Sequence, residues 1–106
     1  MEKIIAVTFD IADQKCVTYN ALEWHNFIAD AREEIQEPSI SLEDLFDELF
    51  GDEFWFEVLD DSKLAYAIGF DVSSEEFVIC NGPAQMEFYM VMAEDGGYAE
   101  EVFWAE

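Results

Sequence analysis

Between Asn20 and Gly51 the apolar residues recur every three or four positions; β-branched runs precede that stretch, and after it the apolar residues recur every second position. This change of period constrains the fold more than any other feature, because 3.6 and 2 are the repeats of helix and strand. Trp24, Phe27, Ile28, Ala31 and Ile35 stand at i, i+3, i+4, i+7 and i+11 and form one apolar helix face. Asn20 is a good N-cap, and Glu23 three residues on completes a capping-box start. Pro38 ends this first helix. Ser41 caps a second, whose apolar face is Leu42, Leu45, Phe46 and Leu49 and whose stop is Gly51.

The flanking segments read as strands. Residues 3–10 and 15–20 are β-branched runs joined by a short polar turn containing Asp13, which predicts a hairpin. Residues 53–59 place Phe54, Phe56 and Val58 on one face and Glu53, Trp55 and Glu57 on the other. In residues 63–70, Leu64, Tyr66, Ile68 and Phe70 alternate with small residues. Residues 75–80, 84–92 and 98–105 complete the set, with Met86, Phe88, Met90 and Met92 expected as a core-facing stripe. Turns are expected at 60–62, 73–74, 81–83 and 95–97. The expectation is a single acidic α+β domain over residues 1–106. It has a mainly antiparallel sheet of about five to seven strands, with two helices inserted after the first hairpin.

Charge is the second constraint. Asp and Glu number 26 against 4 Lys and Arg, a net −22, while 52% of the residues are hydrophobic and 16% aromatic. Disordered acidic segments lack such an apolar fraction, so the chain is expected to fold despite its self-repulsion. The acids are not confined to a tail. Residues 33–62 hold 12 acids and no base, and residues 64–106 hold nine more with none.

Several function classes lose support. No run of 18 apolar residues exists to span a membrane, and the opening residues lack the pattern of a signal peptide. Cys16 and Cys80 have no metal-type spacing and read as intracellular free thiols, with a cytoplasmic location expected. The best EF-hand start, Asp60, meets Leu64 and Ala65 where a ligand and the glycine belong. One histidine, His25, is too few for a His-rich metal site, and no nucleophile elbow, P-loop or dinucleotide loop is present. The reading is of a non-enzyme without metal or cofactor.

The acidic rows point instead to a binding surface. Helical residues at i and i+4 lie ~5–6 Å apart, and same-face strand residues ~6.6–6.8 Å. Asp30, Glu33, Glu34 and Glu37, then Glu43, Asp44, Asp47 and Glu48, then Asp52, Glu53, Glu57, Asp60 and Asp61, thus form closely spaced negative points. Duplex DNA carries one charge per ~1.7 Å, so 22 charges correspond to about 37 Å of duplex. A compact chain of this length has a radius of gyration near 13 Å and a span of roughly 33 Å. Trp55, among these acids, either anchors an interface or covers a second layer of core. Trp104 reads more readily as core.

The acid-only stretches "EEIQEPSISLEDLFDELFGDEFWFEVLDD" and "EDGGYAEEVFWAE" give the chain a composition that resembles the DNA-mimic inhibitors of bacteriophages and mobile elements. These comprise anti-restriction proteins, anti-CRISPR proteins and inhibitors of uracil-DNA glycosylase. The resemblance lies in charge and aromatic content over the whole chain and has no diagnostic motif. It implies occupation of the basic nucleic-acid cleft of a nuclease, a CRISPR effector subunit or another DNA- or RNA-binding protein. The chain itself would touch neither nucleic acid nor membrane, and a homodimer is left open. An immunity protein neutralising a nuclease toxin is the alternative; a halophilic domain and a chaperone of basic proteins compete more weakly.

Overall fold

The computed structural model describes residues 3–59, 65–94 and 102–105. Strands β1 (Ala6–Asp10) and β2 (Lys15–Tyr19) form the expected hairpin, closed by a turn in which Gln14 takes a left-handed φ of 51°. Helix α1 (Ala21–Ile35) follows. The Asn20 side chain accepts from the Glu23 amide at 2.8 Å, and the Glu23 carboxylate accepts from the Asn20 amide at 3.1 Å. The helix stops at Gln36, whose φ of 60° is left-handed, two residues before Pro38. Helix α2 (Leu42–Phe50) starts at Ser41, whose hydroxyl accepts from the Asp44 amide, and ends at Gly51 with φ 82°.

Strand β3 (Phe54–Val58) returns beside β1, giving an antiparallel sheet of order β2-β1-β3. Strands β4 (Ala67–Asp71), β5 (Glu76–Cys80) and β6 (Val102–Trp104) make a second antiparallel sheet of order β5-β4-β6. The six strands of the described residues therefore form two sheets of three, where a single sheet was expected. Aromatic packing explains the division. Val7, Phe9 and Trp55 project from the first sheet onto Ile68, Phe70, Phe77 and Phe103 of the second. Phe9 stacks on Phe70 with ring centroids 4.3 Å apart.

The other face of the first sheet carries the helices. Ala6, Phe54 and Phe56 meet Trp24, Phe27, Ala31, Leu45 and Phe46 there. Phe46 is 2% exposed and lies within 6.1 Å, centroid to centroid, of Trp24, Phe27, Phe50, Phe54 and Phe56. Consecutive aromatics at Phe54, Trp55 and Phe56 thus serve two cores in turn, and β3 is covered on both faces. Val58, read as sharing a face with Phe54 and Phe56, is 52% exposed.

The segment expected as a strand over 84–92 is instead helix α3 (Pro83–Glu94). Pro83 suits the first helical position, where no amide partner is lost. Gln85 reaches back to accept from the Asn81 amide at 2.6 Å, a cap in the manner of a capping box. Ala, Gln, Met and Glu all favour helix. Met86 and Met92 are half-buried, whereas Phe88 and Met90 are 59% and 58% exposed, so the proposed core stripe is split around the helix. Tyr89 packs edge-on to Trp104, tying α3 to the second sheet.

The body measures 47 × 30 × 18 Å with a radius of gyration of 14.9 Å, longer and flatter than the compact span drawn from chain length. Layering two thin sheets under a pair of helices produces this slab. Among the described residues, no helix is long and apolar enough to cross a membrane. The turns expected at 60–62 and 95–97 lie outside the described residues.

Candidate functional site

Burying one stripe of each helix leaves its carboxylates in water. On α1, Trp24, Ala31 and their neighbours face the sheet, and Asp30, Glu33 and Glu34 are exposed, as is Glu37 just beyond the helix. On α2, Leu45 and Phe46 are buried, and Glu43, Asp44, Asp47 and Glu48 are exposed. Asp52 and Glu53 continue the row into β3 and are also exposed. Ten of the fourteen residues singled out from the sequence therefore stand exposed between residues 30 and 53, held by helices, caps and a tight turn. Glu57 is half-buried on β3. Asp60 and Asp61 lie outside the described residues.

Trp55 differs from the acids. It is half-buried, with ring centroids 5.0 Å from Phe70 and 6.5 Å from Phe9, so most of the indole belongs to the layer between the sheets. It still lines two shallow grooves. One is bounded by Glu43, Asp44, Asp47 and Asp52 together with Phe54, Trp55 and Phe56. The other is bounded by Trp55, Phe56, Glu57, Glu75, Glu76 and Phe77. Sequence reasoning did not connect Glu75 and Glu76 with this region, because their approach to β3 depends on how the two sheets stack.

Carboxylates crowd closely in the first groove. The Asp47 carboxyl titrates above the ordinary aspartate range, chiefly through a hydrogen bond with Asp52 and that residue's negative charge, with Asp44 and Glu43 adding to the field. Asp47 is exposed, so this raised affinity for a proton reflects neighbours more than burial. Among the described residues, no lysine or arginine lines either groove. Arg32 is engaged elsewhere: its Nη1 donates to the Ile40 carbonyl at 3.0 Å and pins the connection between the helices. Among the described residues, no group of three or more His, Cys, Asp or Glu side chains is arranged to hold a metal ion.

The thiols are poor reaction centres. Cys16 and Cys80 are both buried and unbridged. Burial pushes the Cys16 thiol up to about 12, far from the low values that activate a nucleophile. His25 is exposed on α1.

Comparison with known proteins yields no match: no family model, no characterised protein and no solved structure is similar to this chain. The surface must be interpreted from its own chemistry.

Proposed function

We propose that the protein is a DNA-mimic inhibitor that occupies the basic nucleic-acid-binding cleft of a host defence nuclease or another DNA-binding protein, of the anti-CRISPR or anti-restriction type. One observation carries the reading: of ten exposed carboxylates between Asp30 and Glu53, seven project from helices α1 and α2 and three from the turns that follow them. The scale supports it. A net charge of −22 over a 47 Å long axis is one charge per about 2.1 Å, against one per ~1.7 Å along a DNA duplex.

The mechanism is competitive occlusion. Lysines and arginines that pair with phosphates would pair with carboxylates, and the field would accelerate encounter with a positive cleft. The scaffold bears the mutual repulsion in advance, so little ordering entropy is lost on docking. Catalysis plays no part, and the compartment would be the cytoplasm of the bacterial host.

The test begins with capture from a bacterial lysate at low salt and elution at high salt, followed by purification of the protein released. The chain should then displace labelled duplex from that protein, with an affinity that falls steeply as salt rises. Reversing Asp44, Asp47, Glu48 and Glu53 to lysine should abolish displacement while the circular dichroism spectrum is unchanged. Displacement that is indifferent to salt, or that survives the four substitutions, would sink the proposal.

A further inference from the structure

Among the described residues, the first sheet ends at β3, whose one strand neighbour is β1. In an antiparallel pair, residues opposite one another alternate between exchanging both backbone hydrogen bonds and exchanging none. The Leu59 amide donates to the Ile5 carbonyl at 2.7 Å, and the Ile11 amide donates to the Glu53 carbonyl at 3.0 Å. With the register Val7↔Glu57 and Phe9↔Trp55, the odd-numbered residues of β3 therefore bond to β1. The amides and carbonyls of Phe54, Phe56 and Val58 point the other way, toward an edge with no strand of the described residues beside it.

Both acidic grooves open along that edge. Each is lined by the consecutive residues Trp55 and Phe56, whose side chains lie on opposite faces of the sheet. A groove lined by neighbouring residues of one strand runs beside its backbone and not over one face. Asp47 and Asp52 flank the edge on the helix side, and Glu57, Glu75 and Glu76 on the side of the second sheet.

Exposed strand edges are sites of unwanted pairing, and charge is a common means of suppressing it. Here a second copy of the chain would bring more carboxylates and be repelled. A strand with basic side chains on both of its faces meets opposite charge on each. From the unpaired backbone and the acids on both sides of it, we infer that β3 accepts an extended, arginine- and lysine-rich segment of a partner protein as an added strand. Backbone hydrogen bonds would fix its register, and the flanking carboxylates would select its charge. This deepens the occlusion reading and rests on it for the basic nature of the partner.

The probe is a synthetic octapeptide, acetyl-Thr-Arg-Val-Arg-Arg-Val-Arg-Thr-amide, compared with the same sequence N-methylated at every peptide bond. The methylated form keeps the charges and loses the backbone N–H of all eight residues. Amide exchange followed by NMR should slow at least tenfold at Phe54, Phe56 and Val58 with the plain peptide, while Trp55 and Glu57 change little. The methylated peptide should bind at least tenfold more weakly. Val58→Pro, at an exposed position whose amide faces the edge, should weaken the plain peptide to a similar degree. Equal affinity for the two peptides, protection without the alternation, or no binding by either would overturn the inference. None of these results requires an inhibition assay, so they leave occlusion standing. Inhibition that survives the four lysine substitutions removes occlusion whatever the peptides do.

Discussion

Replacing Phe46 with alanine should separate scaffold from charge. Phe46 is 2% exposed and touches five aromatic rings, all of which belong to or border the core that seats α1 and α2 on β3. Truncating a buried phenylalanine costs about 3–5 kcal/mol, against a total stability of about 5–15 kcal/mol for a domain. At a urea slope near 2 kcal/mol per molar, the midpoint should fall by about 1.5–2.5 M. The melting temperature should drop by about 12–40 °C at ~4–8 °C per kcal/mol. Urea is the denaturant of choice, since guanidinium is also a salt and would screen the repulsion in a chain of net charge −22. No carboxylate is altered, so any loss of target inhibition in step with the unfolded fraction would show that the acids act only when held in place. Phe46→Leu should retain most of both properties. A midpoint shift below ~0.5 M for Phe46→Ala, about 1 kcal/mol, would refute the packing assigned to this residue.

Gly69→Ala should cost about 1–3 kcal/mol in the same urea assay. A methyl there would come within 2.8 Å of Val102 Cγ1, 2.9 Å of Trp104 Cε3 and 3.0 Å of the Phe103 carbonyl, whose backbone cannot swing aside; unchanged stability would refute that close approach. Asp52→Asn should lower the Asp47 titration midpoint toward the ordinary aspartate range, read by carboxyl-carbon NMR. The same pair sets a sign for pH. Because Asp47 holds its proton more tightly folded than unfolded, its contribution favours the fold at acid pH and is lost as pH rises through the raised midpoint. Cys16 should resist alkylation at pH 8 in the native protein and react once urea unfolds it, as mass spectrometry would show.

The helical part of the fold was legible because its signals are local. Asn20 with Glu23, Ser41, Gly51 and two clean apolar stripes define α1 and α2, apart from the end of α1, which stops at Gln36, two residues before Pro38. The exposed rows from Asp30 to Glu53 follow directly, since an amphipathic helix that buries one side must expose the other. Helix α3 was hidden because its apolar residues surround it: Met86, Phe88, Met90 and Met92 match a period of two as well as any helical face. Pro83 and the shortage of β-branched residues were the signals available. The division into two sheets depends on pairing between β4 and β6, more than thirty residues apart, and no local pattern encodes it. Trp55 was ambiguous for the same reason. An acidic setting in sequence suggested an outward ring, whereas the second sheet closes over it.

The carboxylates are also unevenly shared among the helices. Residues 21–53 hold eleven acids and one base, while α3 has only Glu87 and Glu94 and leaves Phe88, Met90 and Val91 bare. Such a lopsided particle experiences torque in an external field. Approaching a cationic surface, it would rotate so that α1 and α2 lead and the oily α3 trails. Arrival would be oriented before first contact, and the rear of any complex would present a greasy, weakly charged helix to the surrounding water.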